Sequence, residues 1–160
     1  MKMSGGVEWA LHCCVALTAA TEPVPAVRLA ELHDVSPSYL AKQLQELSRA
    51  GLVRSVQGKS GGYLLTRPAD QITVLEVVEA IDGPSAAFVC TEVRQRGPLA
   101  ASPESCTAPC GIARVMYEAD HAWRQALRRV TVADLLADAE RAQGPQLRDT
   151  LRGWLTSTLG

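Results

Sequence analysis

The sequence predicts a mainly α-helical protein that carries one small β-hairpin. Its 160 residues suit one domain, or a small domain with an appendage. Hydrophobic residues make up 47% of the chain, enough for a core, whereas aromatic residues make up only 4%. A core of this composition is built largely from Leu, Val and Ala, which leans towards helices. Two short apolar runs separated by a glycine-rich segment, within residues 52–66, predict the hairpin.

The first three predicted helices lie before the hairpin. Residues 5–20 carry apolar side chains at spacings of three and four, and Thr21–Pro25 interrupts this helix. Val27–Leu32 is a short second helix. The third helix runs over residues 37–50, and Gly51 follows it as a left-handed C-terminal residue. The buried stripe of this helix is predicted to be Leu40, Leu44 and Leu47.

The hairpin is predicted from two strand candidates, Leu52–Val56 and Gly62–Thr66. The segment Gln57–Gly61 between them is basic and rich in glycine, which is typical of a tight turn. Residues 73–76 then form a capping-box pattern that opens a further helix.

The second half of the chain begins with a long irregular segment. Residues 84–110 are rich in proline and contain three of the five cysteines, Cys90, Cys106 and Cys110. A loop of this length needs a reason, which is usually functional. A long helix follows over residues 111–130, and Thr131–Asp134 caps another. Gln146–Leu159 is the last amphipathic segment.

The net charge of −1 hides an uneven distribution of charge along the chain. Residues 36–67 contain five bases and one acid, a local balance of +4, whereas residues 71–160 contain nine bases and eleven acids. The overall balance excludes a uniformly basic nucleic-acid-binding protein. A short basic segment is nevertheless what a contact surface for DNA requires.

The order of the predicted elements, three helices followed by a basic hairpin, is that of a winged helix-turn-helix. In such a module the third helix enters the major groove, and the hairpin, or wing, lies beside the duplex. Side chains that face away from the leucine stripe are candidates for base and phosphate contacts, with an ordinary solvated residue as the alternative. The candidate DNA-binding residues are Ser38, Tyr39, Lys42 and Gln43 on the helix, and Arg54, Lys59, Ser60 and Gly61 on the wing.

The loop cysteines follow the pattern C-x15-C-x3-C. An odd cysteine count argues against a disulfide scaffold, and reduced thiols more often bind metal or react. Three thiolates leave a zinc or iron–sulfur site one ligand short, so a ligand must come from elsewhere. Glu8 and His12, four residues apart on one face of the first helix, are the candidates, with an ordinary surface pair as the alternative. Cys14 is expected to pack in the core.

Three segments of the chain resemble the Rrf-two family of bacterial winged-helix regulators, which includes iron–sulfur sensors. These segments are Val35–Lys42, Leu47–Val53 and Gly58–Tyr63, and the resemblance covers about residues 1–135. It implies a homodimeric transcription regulator that binds a palindromic DNA operator. The implied layout is a winged helix-turn-helix DNA-binding domain at 1–83, a cluster-binding loop at 84–110, a dimerisation helix at 111–135 and a C-terminal helical extension at 136–160.

The resemblance further implies a [2Fe–2S] cluster whose redox state controls affinity for the operator. Residues 1–20 and Phe88–Thr91 are most similar to a redox-sensitive member of the family, which favours mixed ligation. The spacing between the loop cysteines is longer than the family's usual pattern. In the implied dimer the loop of one protomer meets the first helix of the other, and Trp9 relays the signal. The implied ligands are Cys90 and Cys110 on one iron, with Cys106 in reserve, and Glu8 and His12 on the other.

Other function classes fit the sequence less well. Gly58–Gly62 lacks the spacing of a nucleotide-binding loop and no nucleophile–base set stands out, so no enzyme is expected. No run of about 18 apolar residues predicts a membrane span. Glu8 and His12 interrupt the N-terminal apolar run, so a secretion signal is not expected. We therefore expect a cytoplasmic location. Two alternatives stay open: a metal-free thiol switch that uses Cys106 and Cys110, and a partner-binding module without a sensing role.

Overall fold

Seven α-helices and one two-stranded sheet make up the regular structure of the described residues, 3–58 and 60–157 of the computed structural model. The predicted mainly α-helical fold with one hairpin is therefore confirmed. Among these residues no helix is both long and apolar enough to cross a membrane. In chain order the elements are α1 (Gly5–Leu17), α2 (Ala26–Leu32), α3 (Pro37–Arg49), β1 (Val53–Val56), β2 (Gly62–Leu65), α4 (Val74–Asp82), α5 (Gly111–Arg128), α6 (Val132–Gln143) and α7 (Leu147–Thr156).

The chain divides into two compact units. The main unit consists of the residues up to Pro84 together with those from Leu127 onward, and the loop unit consists of Ser85–Ala126. The main unit thus combines the predicted DNA-binding segment with α6 and α7. The loop unit holds the irregular segment and most of α5.

The core of the main unit forms because α1, α3 and α4 turn apolar faces towards one another. The predicted stripe of α3 is confirmed, since Leu40, Leu44 and Leu47 are completely buried. α1 ends at Leu17, earlier than predicted, because the next three N–H groups bond to carbonyls three residues back instead of four. Gly51, at φ 72°, ends α3 in the predicted left-handed conformation.

The hairpin is antiparallel and is anchored to the connection between α1 and α2. Val53 lies opposite Leu65 in the register of β1 and β2. Val24 and Tyr63 exchange two backbone N–H to carbonyl hydrogen bonds, of 3.0 and 2.8 Å. A Cβ at Gly62 would lie 2.3 Å from the carbonyl carbon of Val24, so this approach requires glycine. The contact fixes the wing relative to the helices of the main unit.

The C-terminal helices pack onto the same core. Both predicted capping boxes form, at the first turns of α4 and α6, and a backbone bridge joins Thr73 to Thr131. On α2, the guanidinium of Arg28 lies 3.8 Å from the ring centroid of Trp154 in α7. It donates hydrogen bonds to the Trp154 carbonyl at 2.5 Å and to Ser157 Oγ at 2.7 Å. The C-terminal extension therefore supports the unit that carries the DNA-binding helices.

The loop unit is an irregular segment that folds onto α5, and the irregular backbone followed by a long helix is what the sequence predicts. Residues 85–110 contain two single-turn 3₁₀ helices and otherwise irregular backbone. The N–H of Ala87 donates to Asp120 Oδ1 at 3.1 Å. The rings of Phe88 and Tyr117 make an edge contact with centroids 5.6 Å apart. These contacts hold the start of the segment against the helix.

Candidate DNA interface and metal-binding residues

The exposed face of α3 carries three of the predicted DNA contacts. Ser38, Tyr39 and Lys42 are all exposed, so the predicted outward direction of these side chains is correct. The two hydroxyl groups can bond to base edges or phosphates, and the lysine ammonium suits a phosphate. All three lie in the N-terminal half of the helix, the part that reaches base edges in helix-turn-helix proteins.

Gln43 does not belong to this face, and the prediction that it contacts DNA is wrong. Its side chain is 6% exposed and packs against α1, where a Cβ added to Gly6 would come within 2.6 Å of Gln43 Oε1. Position 43 follows Leu40 by three residues and precedes Leu47 by four, so helical geometry places it on the buried stripe. Gln43 therefore lies between α1 and α3 and is not available to a duplex.

Gln45 is the exposed residue that the sequence reasoning missed. It follows Lys42 by three residues and Ser38 by seven, which places the three side chains in one row along α3. Its amide can donate to and accept from an adenine edge at the same time. Counting the three-and-four spacing from the outward residues, instead of from the leucines, would have found it.

The wing tip is a tight turn that depends on glycine. Gly58 has φ 108°, and a Cβ at Gly61 would lie 2.4 Å from a backbone carbonyl oxygen of β1. Arg54 and Ser60 are exposed on the wing. The predicted contact Lys59 lies outside the described residues. A turn this tight presents backbone without bulky side chains, so its close approach to a duplex remains a prediction.

Two cations of the basic segment are engaged within the main unit. Arg49 and Arg67 form ion pairs with carboxylates, at nitrogen–oxygen distances of 2.5 and 2.6 Å. Lys42 and Arg54 are exposed, on the helix and the wing respectively. These two side chains are therefore the better candidates for phosphate contacts.

Glu8 and His12 are both exposed on α1, one turn apart. They border an apolar groove of about 290 Å³ between α1 and α6, whose other lining residues are Leu11, Val15, Leu135 and Ala139. A carboxylate and an imidazole at this spacing can reach one metal centre. The structure thus brings the two non-cysteine candidates together at the rim of a groove.

Three rings, those of Trp9, His12 and His33, form a cluster beside this groove. Their centroids lie 6.4 Å apart for Trp9 and His12, 6.1 Å for Trp9 and His33, and 5.5 Å for the two histidines. His33, which directly follows α2, is half-buried. Burial, and more weakly His12, lower its pKa, and its Nε2 has no hydrogen-bond partner among the described residues. No sequence signal could have found this contact, because α1 and the end of α2 meet only in the fold.

Cys13 and Cys14 are packing residues of the main unit. Both are completely buried. Burial raises the pKa of each thiol to about 12, with a further contribution from Cys13 at Cys14. Thiolate is the form that binds metal or reacts, so these protonated thiols do neither readily. The expected packing role of Cys14 is confirmed.

The loop unit brings Cys90 and Cys110 to one cavity of about 340 Å³. The Sγ of Cys90 accepts a hydrogen bond from the backbone N–H of Glu92 at 3.4 Å, and the Sγ of Cys110 accepts one from Ala113 at 3.5 Å. Cys110 directly precedes the first turn of α5. Cys106 is not among the residues that line this cavity.

The candidate ligands therefore form two half-sites, one in each unit. Among the described residues of one chain, no three His, Cys, Asp or Glu side chains gather closely enough to hold a metal ion. One half-site offers two thiols, the usual ligands of iron–sulfur clusters. The other offers an imidazole and a carboxylate, which suit iron as well. The donor chemistry of each half-site, taken by itself, therefore suits the iron of an iron–sulfur centre.

α5 exposes an apolar stripe along the loop unit. Ile112 is 74% exposed, Val115 59% and Met116 41%. Exposed alanines continue the same spacing of three and four along the helix, at Ala119, Ala122 and Ala126. Such a stripe is typical of a helix that pairs with another apolar surface.

Comparison with known proteins gives a consistent result. The family model of Rrf2, described as an iron-dependent transcriptional regulator, matches residues 3–138. Protein aau3 of Rhizobium meliloti (strain 1021) is 31% identical over 138 residues, which is 85% of each chain. The HTH-type transcriptional regulator IscR of Cronobacter sakazakii (strain ATCC BAA-894) is 46% identical over 68 residues, or 42% of each chain. The solved structure of T. potens IscR has a TM-score of 0.65 at 26% identity, and the match covers 89% of this chain and 91% of that chain.

Proposed function

Because the chain belongs to the Rrf2 family of DNA-binding transcriptional regulators, which are not enzymes, we propose that it is a homodimer whose operator affinity is controlled by the redox state of a [2Fe–2S] cluster. The observation that carries this proposal is the pairing of Cys90 with Cys110 at one cavity, where each sulfur accepts a backbone N–H. The exposed pair Glu8 and His12 supplies the remaining two ligands. A regulator of this kind works in the cytoplasm, where it meets the operator.

DNA recognition is assigned to the exposed face of α3 and to the wing. Ser38, Tyr39 and Gln45 face the base edges of the major groove, and Lys42 and Arg54 meet phosphates. Two copies related by a two-fold axis read the two halves of a palindromic operator. Ser60 and Gly61 at the wing tip are proposed to bring backbone close to the duplex, and Lys59 remains a candidate contact from the sequence alone.

The dimer is assigned to the apolar stripe of α5. Ile112, Val115 and Met116 are too exposed to contribute to the core of a single chain. Pairing with a second copy would remove these side chains from water, and each buried CH₂ group contributes about 0.8 kcal/mol. The proposed layout keeps the boundaries expected above, with 111–135 as the dimerisation segment and 84–110 as the cluster-binding loop.

The proposed ligand set draws on both copies. Cys90 and Cys110 of one copy hold one iron, with Cys106 in reserve, and Glu8 and His12 of the other copy hold the second. When bound, the cluster supplies reversible one-electron chemistry, at a potential that nitrogen and oxygen ligands raise relative to thiolates alone. We further propose, from the sequence of residues 1–20 and 88–91, that the chain is a relative of the redox-sensitive regulator RsrR, which would favour this mixed ligand set.

A chain of contacts within the main unit leads from His12 to the DNA-binding helix. The ring of Trp9 lies beside that of His12 on α1, so a rotation of the imidazole would displace the indole. Gly6, one turn before Trp9 on α1, faces Gln43 of α3, because a Cβ added to Gly6 would lie 2.6 Å from Gln43 Oε1. A displacement of α1 would therefore move α3. A tenfold change in operator affinity requires a coupling free energy of only about 1.4 kcal/mol.

Anaerobic purification tests the cluster directly. Iron and acid-labile sulfide, assayed together with the absorbance spectrum, should show one cluster for each pair of half-sites. Cys90→Ala and Cys110→Ala should each lose the cluster, whereas Cys106→Ala, the matched control in the same segment, should retain it. A colourless wild-type protein without iron after anaerobic reconstitution would reject the proposal.

The second candidate function is a metal-free thiol switch. Cys106 and Cys110 are free, partly exposed and four residues apart in the same segment. Peroxide would oxidise the two thiols to a disulfide and would itself be reduced to water, with both thiol protons passing to the oxygen. Loss of operator binding on peroxide treatment of a protein without a visible chromophore would favour this switch, and a Cys106→Ala variant would then be insensitive.

A further inference from the structure

We propose that Arg94 is a positioning residue that holds the two cysteine-bearing segments of the loop unit in their metal-binding arrangement. This inference rests on the proposed function, because it concerns the same thiol half-site. Arg94 lines the cavity that contains both Cys90 and Cys110. Its side chain is only partly exposed, at 30%.

The guanidinium of Arg94 makes contacts on both sides of the segment. It forms a two-pronged pair with Glu92, Nε to Oε1 at 2.6 Å and Nη2 to Oε2 at 2.8 Å. The same Nη2 donates to the carbonyl oxygen of Ala108 at 2.9 Å. Its backbone carbonyl accepts the N–H of Ala101 at 2.8 Å. One residue thus ties the first part of the segment to its middle and to its end.

These contacts lead from one cysteine to the other. The backbone N–H of Glu92 donates to Cys90 Sγ at 3.4 Å, and the carboxylate of the same residue receives Arg94. Ala108, the other partner, stands two residues before Cys110. The irregular chain between the two cysteines has no sheet or long helix to fix its ends, so closing it is an entropic cost that such contacts must offset.

The backbone conformation of Glu92 is independent evidence that the contacts around this residue are strong enough to hold it in a rare conformation. Glu92 has φ 50°, a left-handed conformation that non-glycine residues rarely adopt. Such conformations persist where surrounding contacts over-determine them. The two-pronged pair with Arg94 is the contact that fixes the side chain of Glu92.

Charge supports the same assignment. The hydrogen-bonded Glu92 carboxylate, and more weakly the thiols of Cys106 and Cys110, raise the pKa of Arg94. The guanidinium is permanently charged, and its planar fork donates to Glu92 and Ala108 at the same time. Lysine would retain the charge but not the planar fork that reaches Glu92 and Ala108 together.

The experiment uses the whole 160-residue chain without cluster, and Cd²⁺ alone as the probe of the thiol half-site. Thiolate binding is followed by the ultraviolet charge-transfer absorbance and by isothermal titration. Arg94→Ala should weaken Cd²⁺ binding at least about tenfold, in line with residues that support metal ligands. Arg94→Lys should recover part of this loss, because the charge remains. Arg96→Ala, an exposed arginine two residues away, is the matched control and should bind Cd²⁺ as the wild type does.

Anaerobic reconstitution of the same variants separates the inference from the proposed function. If the wild type takes up iron and sulfide and Arg94→Ala binds Cd²⁺ within twofold of the wild type, the role of Arg94 is overturned and the cluster proposal stands. Wild-type protein that takes up no iron while Arg94→Ala still weakens Cd²⁺ binding would reject the cluster and support Arg94 as the residue that positions the thiols. Thermal unfolding midpoints of all variants verify that the comparison is between folded proteins. If Arg94→Ala lowers the midpoint and Arg94→Lys does not, Cd²⁺ binding by Arg94→Lys becomes the measurement that decides.

Discussion

Substitution of Gln45 and of Gln43 by alanine distinguishes the exposed face of α3 from its buried face with two chemically identical changes. Gln45 is exposed beside Lys42, whereas Gln43 packs against Gly6 of α1. Gln45→Ala should therefore weaken operator binding without affecting the fold. Gln43→Ala should destabilise the fold and leave the DNA-facing side chains in place.

The magnitudes follow from what each side chain contacts. Loss of one amide contact costs about 1 kcal/mol per half-site, so two copies on a palindrome lose about 2 kcal/mol, or roughly 30-fold in Kd. A surface change of this kind leaves the free energy of unfolding within about 0.5 kcal/mol. Removing the buried amide of Gln43 leaves a gap against α1, which should lower the free energy of unfolding by about 1–3 kcal/mol.

Fluorescence anisotropy with an operator selected from random DNA measures Kd at fixed salt, and urea unfolding measures stability. Both measurements are made on the same preparations, at a temperature where all variants are folded. Operator binding weakened more by Gln43→Ala than by Gln45→Ala, with both proteins folded, would refute the assignment of the two faces.

Three further predictions follow from the structure. Val115→Glu on the apolar stripe of α5 should convert the proposed dimer to monomer in analytical ultracentrifugation, and a variant that stays dimeric would exclude that stripe as the interface. In the native protein without cluster, a thiol reagent should label three cysteines rapidly and reach Cys13 and Cys14 only after unfolding, since both are buried with pKa values raised to about 12; equal labelling rates for all five would contradict their packing. Trp154→Ala removes the ring that Arg28 covers and should lower the free energy of unfolding by about 2 kcal/mol in urea titrations, whereas an unchanged midpoint would show that this ring contact does not stabilise the main unit.

The elements that the sequence predicted well are those that depend on neighbours in the chain. Gly51 ends α3 because glycine adopts a positive φ at little cost, a property of one residue and its local backbone. The capping boxes at Thr73 and Thr131 each involve groups three residues apart. The leucine stripe of α3 follows from the period of the helix alone. Short-range rules of this kind were sufficient for the order of the helices and for the hairpin.

The candidate site depended on contacts that the chain order does not reveal. The burial of Gln43 follows from the helical spacing that Leu40 and Leu47 set, but its contact with Gly6 depends on α1, which covers that side of α3. His33 joins Trp9 and His12 only because the end of α2 returns to α1.

The sequence by itself determined a helical protein with a basic hairpin. It also marked Cys90, Cys106 and Cys110 as candidate metal ligands or reactive thiols. The tertiary structure alone decided which two of these share a cavity and which charged group ties them together. The physical reason is that side-chain partnership between segments many residues apart is set by packing and hydrogen bonding of the folded chain, and Arg94 reaches both segments only there.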